Sequence, residues 1–220
     1  MPTKPQKEKA AEVLRLLRER YPDAHCALDH RNAWQLLCAT ILAAQCTDER
    51  VNMISPALFA RFPTPEKMAG ATQDELEQMV KTTGFFRNKA KALIAGAQDI
   101  VAKHGGEVPG TMEELIDLQG VGRKTANVVL DECFGGCGVV VDTHVRRLSE
   151  RLGWTRNGDP DKIEQDLMAL HPRETWTILS HTLTFHGRDL CDARKPRCRE
   201  CPVLALCPYG SGNLTPRPPR

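Results

Sequence analysis

Residues 118–126 read Leu-Gln-Gly-Val-Gly-Arg-Lys-Thr-Ala, in which two glycines stand one residue apart and a basic pair follows the second. Before this stretch, Thr111 and Glu114 have the Thr-x-x-Glu spacing of a capping box, which predicts the start of a short helix. After it, apolar residues recur at helical spacing until a Gly-Gly pair, which predicts a second helix that ends there. The sequence therefore predicts two helices joined by a glycine hairpin over residues 111–134.

A hairpin of this kind is suited to binding a phosphate group. Gly120 and Gly122 allow a tight turn and a close approach of the backbone to a ligand, and the amide groups at the start of the second helix point outwards. Lys124 falls in the first turn of that helix, where the positive end of the helix dipole disfavours its ammonium form. The alternative is an ordinary helix–helix turn with a solvated lysine, because a lone Gly-x-Gly motif has a high false-positive rate.

A second feature lies further along the chain, where four of the nine cysteines occur within 17 residues. The odd total fits a reducing compartment, so the group indicates a bound metal or an iron–sulfur cluster rather than disulfides. Only the central pair has the Cys-x2–4-Cys spacing that is common in zinc sites, and spacing alone does not separate zinc from iron–sulfur. The pattern is Cys-x6-Cys-x2-Cys-x5-Cys, formed by Cys191, Cys198, Cys201 and Cys207.

The distribution of charge is more informative than its total. The chain of 220 residues has a formal net charge of +2, too small to indicate nucleic-acid binding by itself. Residues 1–20 carry six Lys or Arg against three Asp or Glu, and residues 186–220 carry seven against three, so the part between them is acidic. This asymmetry predicts that both ends contribute to one positively charged face. Nothing in the sequence resembles a signal peptide or a membrane span, and we expect a cytoplasmic protein.

Three motifs together resemble the bacterial endonuclease III family. They are the hairpin stretch, residues 140–145 with the sequence Val-Val-Asp-Thr-His-Val, and the four-cysteine group. The similarity runs from about Val13 to Cys207, and the three motifs occur in the family's order. One departure is Gln119, where the family usually has a proline, so the hairpin lacks one rigid residue.

The resemblance implies an all-α, helix-hairpin-helix DNA glycosylase fold with two lobes and a cleft between them. We expect a six-helix lobe at residues 26–136. A discontinuous iron–sulfur cluster lobe is expected at residues 1–25 and 137–210, followed by a flexible tail at residues 211–220. The family also implies a [4Fe–4S] cluster on the four cysteines and a monomer that is associated with the nucleoid.

The family's activity is base excision DNA repair by a bifunctional enzyme. The resemblance implies that it removes oxidised pyrimidines from double-stranded DNA and then cleaves at the abasic site by β-elimination. Lys124 would attack the sugar, expel the base and form a Schiff base. Asp142 would stabilise the positive charge that develops on the sugar. On the residues alone, Asp142 is equally well explained as the N-cap of the helix that follows it.

Because a base inside the duplex is out of reach, the damaged nucleotide must be flipped out. By resemblance, Gln45 fills the space that the nucleotide leaves, and Phe85 is the apolar wedge, although the adjacent Phe86 is an alternative. The basic loop between the first two cysteines is expected to contact phosphates. The complete set of predicted DNA contacts is Gln45, Phe85, Gly120, Gly122, Thr125, His144, Arg194, Lys195 and Arg197.

Two other functions are compatible with part of this pattern. One is a monofunctional glycosylase of the same fold, such as the adenine glycosylases, which lack a lysine at this hairpin position and carry an added C-terminal domain. The other is a non-catalytic DNA-binding iron–sulfur protein, which would not require Lys124 and Asp142 together. The pair of residues at family positions therefore favours the bifunctional enzyme.

Overall fold

The structure is a computed structural model that describes residues 2–136 and 138–214. Within these ranges it contains twelve α-helices, four three-residue 3-10 helices and no strand, which confirms the all-α prediction. None of these helices is long and apolar enough to cross a membrane. In chain order the α-helices are α1 (Lys4–Arg20), α2 (Ala33–Ala43), α3 (Asp48–Arg61), α4 (Pro65–Ala69), α5 (Gln73–Val80), α6 (Phe86–His104), α7 (Met112–Ile116), α8 (Arg123–Cys133), α9 (Thr143–Arg151), α10 (Pro160–Leu170), α11 (Trp176–Asp189) and α12 (Pro208–Leu214).

The chain divides into two compact units. The central unit is Cys26–Cys137 and contains α2 to α8. The terminal unit combines the residues up to His25 with those from Gly138 onwards, and contains α1 and α9 to α12. The first helix therefore packs with the last helices of the chain rather than with the helices that follow it.

The central unit is held together by a core of aliphatic side chains. α2 supplies much of it, with seven of its eleven residues buried, and it packs against α3, α6 and α8. α4 and α5 pack against α6, and α7 packs against α8. Burial of such side chains contributes roughly 1.5–3 kcal/mol each. Fully buried members include Leu36, Leu37, Leu42, Leu58, Leu76, Leu93, Ile100 and Leu115.

The terminal unit has a separate core. α11 packs against α9 and α1, and α10 packs against the same two helices. Their inward faces carry apolar residues at helical spacing, as the periodicity predicts. Buried members of this core include Val13, Leu17, Val145, Leu148, Ile163, Leu167, Leu179 and Leu183.

Side-chain caps determine where several helices begin. Thr47, Thr72 and Thr111 each accept a hydrogen bond from the backbone amide three residues ahead, which confirms the cap predicted at Thr111. Asp159 caps α10 in the same way.

At the C-terminal end of the chain, the tail expected from residue 211 overlaps α12, which extends to Leu214. Residues 215–220 lie outside the described part.

Candidate active site

The glycine hairpin joins α7 to α8, where the sequence predicts it. α7 starts after Thr111, whose hydroxyl accepts from the Glu114 amide at 3.3 Å and donates to the Glu114 carboxylate at 2.7 Å. The helix ends at Ile116. A turn closed by the Val121 amide, which donates to the Leu118 carbonyl at 3.1 Å, then leads into α8.

The two hairpin glycines differ in whether the protein itself requires glycine at the position. Gly120 has a φ of +81°, and a Cβ there would lie 2.5 Å from the Ala92 Cβ, so both conformation and packing require glycine. Gly122 is the N-cap of α8 with a φ of −97°, and a Cβ there would meet no described atom within 4 Å. Nothing inside the described protein therefore demands glycine at position 122, and its exposed backbone leaves room for a ligand at the start of α8.

Lys124 projects from the first turn of α8. The helix is anchored on its other side by the buried residues Ala126, Val129 and Leu130. The side chain of Lys124 is exposed and makes no hydrogen bond or ion pair with the rest of the described protein. Its amine is therefore available to a ligand that approaches the hairpin.

Asp142 is the N-cap of α9, as the cap interpretation of this residue predicts. Its Oδ1 accepts from the backbone amides of His144 at 2.8 Å and Val145 at 2.7 Å. Its Oδ2 accepts from the Thr184 hydroxyl at 3.3 Å. These bonds fix the orientation of a half-buried carboxylate. A cap uses mainly one oxygen, so it does not prevent the other from acting on a ligand.

His144 is held inside the terminal unit. Its Nδ1 lies 3.1 Å from Nη2 of Arg147, and a Cβ on Gly187 would come within 2.7 Å of the same nitrogen. Arg147 Nη2 in turn donates to the Gly187 carbonyl at 2.9 Å. This packing favours a structural role for the imidazole, and contact with DNA stays a prediction.

Gln45 and Phe85 share an unusual backbone conformation. Their φ values are +55° and +46°, and they are the only non-glycine residues with positive φ in the described ranges. This conformation costs of order 1 kcal/mol or more and tends to persist at functional sites. Both side chains are exposed, and Phe85 is 63% exposed, whereas Phe86 packs against the core of the central unit. The structure therefore makes Phe85, rather than Phe86, the candidate wedge.

Lys89, a buried lysine on α6, is not among the site residues that the sequence predicts. Its Nζ donates to the Leu42 carbonyl at 2.8 Å and to the Thr83 carbonyl at 2.7 Å. Burial lowers the pKa of this ammonium below its usual value. A signal was available, because Lys89 precedes the buried Leu93 by one helical turn and so lies on the inward face of α6.

The four cysteines of the C-terminal motif line one apolar cavity in the terminal unit, together with residues such as Leu148, Leu152 and Val203. N–H groups point at the sulfurs, because Arg151 donates to Cys191 Sγ at 3.1 Å and the Gly210 amide donates to Cys207 Sγ at 3.4 Å. Among residues 2–136 and 138–214, no three His, Cys, Asp or Glu side chains form a group that could hold a single metal ion.

The cations of the loop between Cys191 and Cys198 are not equivalent. Arg194 and Lys195 are exposed and take part in no hydrogen bond or ion pair within the described protein. Arg197 instead donates to the Asp189 carboxylate at 2.9 Å and carbonyl at 2.7 Å, and to Glu200 at 3.2 Å. Two of the three predicted phosphate contacts are thus free, and the third holds the loop to the end of α11.

The hairpin and its helical setting define a helix-hairpin-helix protein of base excision repair, since residues 38–173 match the family model described as HhH-GPD superfamily base excision DNA repair protein. The chain is 52% identical to endonuclease III of Synechocystis sp. over 92% of this chain and 93% of that protein. It is 45% identical to endonuclease III of Bacillus subtilis over 86% of this chain and 87% of that protein. The chain belongs to the endonuclease III family.

Solved structures agree with this assignment. A trapped covalent intermediate of an endonuclease III with DNA matches with a TM-score of 0.90, at 41% identity over 98% of this chain and 100% of that chain. Members of the family are DNA glycosylases and abasic-site lyases, and this protein is accordingly a base excision repair enzyme with both activities.

Proposed function

We propose that this enzyme excises oxidised pyrimidines from double-stranded DNA, with the ε-amine of Lys124 as the nucleophile. The observation that carries the proposal is the exposed, unpartnered amine in the first turn of α8, directly after the two hairpin glycines. The trapped covalent complex of a related endonuclease III supports it, because a covalent protein–DNA bond requires a nucleophile on the protein.

The chemistry follows from an amine that attacks a sugar. The nitrogen of Lys124 bonds to C1′ while the bond from C1′ to the base breaks, and the base leaves with that electron pair and gains a proton. The nitrogen then loses one proton, and the bond from C1′ to the ring oxygen breaks with its electron pair going to that oxygen, which gains a proton, so that a protonated Schiff base remains. Loss of a proton from C2′ then expels the 3′-phosphate, and the strand is cleaved. One amine thus serves both the glycosylase and the lyase step.

Asp142 is proposed to act on the same sugar. Departure of the base builds positive charge on the sugar, and a fixed carboxylate lowers the energy of that state. The two amide bonds to Oδ1 keep the carboxylate oriented before the substrate arrives, so little reorganisation is needed during the reaction.

The remaining predicted contacts divide into two roles. Gly120, Gly122 and Thr125 would bind a phosphate at the start of α8, while Arg194 and Lys195 would contact the backbone elsewhere without reading sequence. Gln45 and Phe85 would enter the duplex, one to fill the gap and the other to separate neighbouring bases. The exposed left-handed conformation of both residues supports this role.

We further propose that Cys191, Cys198, Cys201 and Cys207 hold a [4Fe–4S] cluster. The donors fit, because four thiol groups line one cavity with apolar walls and N–H groups directed at two of the sulfurs. When bound, the cluster would cross-link the loop that carries Arg194 and Lys195. The chain's own contribution there is Arg151, which also donates to the carbonyls of Asp192 at 2.8 Å and Ala193 at 2.9 Å and so holds the start of the loop.

Purified protein is expected to be yellow-brown and to contain about four irons per chain. Cys201→Ser should lose most of this iron, whereas Cys38→Ser, in the core of the central unit, should keep it. Metal analysis and the visible absorption spectrum are the measurements. Colourless protein with one zinc per chain would contradict the assignment.

The substrate class is tested by cleavage of duplexes that differ in one nucleotide. We expect strand cleavage at an oxidised pyrimidine and at an abasic site, and little at an oxidised or alkylated purine in the same sequence. A preference for damaged purines would refute the proposed substrate. Base release without strand cleavage would instead refute the lysine mechanism.

A further inference from the structure

Lys89 is the only buried lysine or arginine among the residues that the structure describes, with 5% of its surface exposed. Burying an ammonium group is unfavourable unless its protons are accepted by other groups. Here the two acceptors are backbone carbonyls that belong to different segments, Leu42 on α2 and Thr83 just before α6. A single side chain therefore joins two segments that are far apart in the sequence.

Both acceptors lie next to the residues with left-handed backbone. Leu42 is in the last turn of α2, where carbonyls lack a helical partner, and Gln45 follows three residues later. Thr83 ends a 3-10 helix, and Phe85 follows two residues later. The Lys89 amide also donates to the Phe85 carbonyl at 3.1 Å. Lys89 thus contacts both turns from which an exposed, strained residue projects.

We infer that Lys89 is a positioning residue for insertion into DNA, because its ammonium group holds the turns of Gln45 and Phe85 in place before DNA binds. The inference rests on the proposed function, in which these two residues enter the duplex. A strained conformation persists only where surrounding contacts determine it. Holding both turns in advance removes the cost of ordering them when the nucleotide is flipped out.

The role is specific to duplex substrate. Single-stranded DNA has no opposing strand, so a flipped nucleotide leaves no gap in a duplex for Gln45 to fill and few stacked bases for Phe85 to separate. In a duplex both insertions are required. Weaker positioning should therefore reduce cleavage of the duplex more than cleavage of the same strand alone. A general loss of stability would reduce both equally.

The test compares Lys89→Met with Lys91→Met, an exposed lysine on the same helix. Single-turnover cleavage is measured at an abasic site in a duplex and in the single strand, below the unfolding temperature of each variant. Lys89→Met leaves two carbonyls without their donor, and we expect the duplex-to-single-strand ratio to fall about tenfold. Lys91→Met should leave the ratio unchanged, and Lys89→Arg, which can donate to both carbonyls, should restore most of it.

A double-mutant cycle identifies the residues through which Lys89 acts. In a Gln45→Ala/Phe85→Ala background, Lys89→Met should cause no further fall in the ratio, because its targets are already absent. A further tenfold fall would overturn the inference. An equal loss of cleavage on duplex and on single strand would also overturn the inference. Failure of both Lys89→Met and Lys89→Gln to fold would overturn it as well.

The same cycle separates this inference from the proposed function. If Gln45→Ala/Phe85→Ala lowers the ratio and Lys89→Met does not, the proposed insertion of Gln45 and Phe85 is supported and the positioning role of Lys89 is refuted. If Gln45→Ala/Phe85→Ala leaves the ratio unchanged, the insertion role itself is refuted, and the positioning role is refuted with it.

Discussion

Lys124→Gln is expected to reduce strand cleavage at a lesion and covalent trapping by borohydride, each by at least about 10³-fold. Glutamine keeps much of the length and polarity of lysine but has no nucleophilic amine, so no Schiff base can form for borohydride to reduce. The position is exposed and makes no bond within the described protein, so the free energy of unfolding should change by no more than about 0.5 kcal/mol. Gel analysis of cleaved and cross-linked strands measures the effect.

The control is Lys162→Gln. Lys162 is also an exposed lysine in the first turn of a helix, here α10, and should have no effect on either readout. Binding of Lys124→Gln to lesion-bearing duplex should remain within a few fold of the unaltered protein, because the hairpin amides are unchanged. Normal trapping by Lys124→Gln would mean that another amine performs the chemistry and that the hairpin lysine serves only as a phosphate contact.

Asp142→Asn is expected to separate the two activities. Base excision should fall by about 10²-fold or more, because the carboxylate that stabilises the developing positive charge is lost. Trapping at a pre-formed abasic site should persist in part, because such a sugar has already lost its base and Lys124 is intact. Asparagine is as good an N-cap as aspartate, so α9 should keep its start and the stability change should stay near 1 kcal/mol or below.

Asp159→Asn is the matched control for this change. Asp159 caps α10 in the same unit and accepts from the Lys162 amide at 3.1 Å, so both variants replace a capping carboxylate by an amide. Only Asp142→Asn should impair base excision. An equal effect of the two variants, or full base excision by Asp142→Asn, would show that position 142 is only a cap.

Local signals in the sequence were sufficient for the helix starts. Thr47, Thr72 and Thr111 are caps because a short side chain reaches an amide three residues ahead, an interaction that needs no tertiary contact. The hairpin was predictable for the same reason. The start of α9 is less sharply predicted, because Asp142 and Thr143 are both good capping types and only the geometry shows that Asp142 is the cap.

Other features depend on contacts between distant segments and were not predictable. Phe85 and Phe86 have the same chemistry, and which of them is exposed follows from the left-handed turn at position 85. Lys89 is buried only because two carbonyls from separate segments converge on it. The pairing of Arg197 with Asp189 likewise arises from the folding of the cysteine loop onto the end of α11.

The proposed mechanism requires the ε-amine of Lys124 to form the covalent bond with DNA. Its most direct test is to add borohydride during the reaction with lesion-bearing duplex, digest the protein with trypsin and locate the attached nucleotide by mass spectrometry. Modification of Lys124 blocks cleavage after that residue, so the mechanism predicts the nucleotide on the peptide that spans residues 124–146. Attachment to the N-terminal amine or to any other lysine would contradict it.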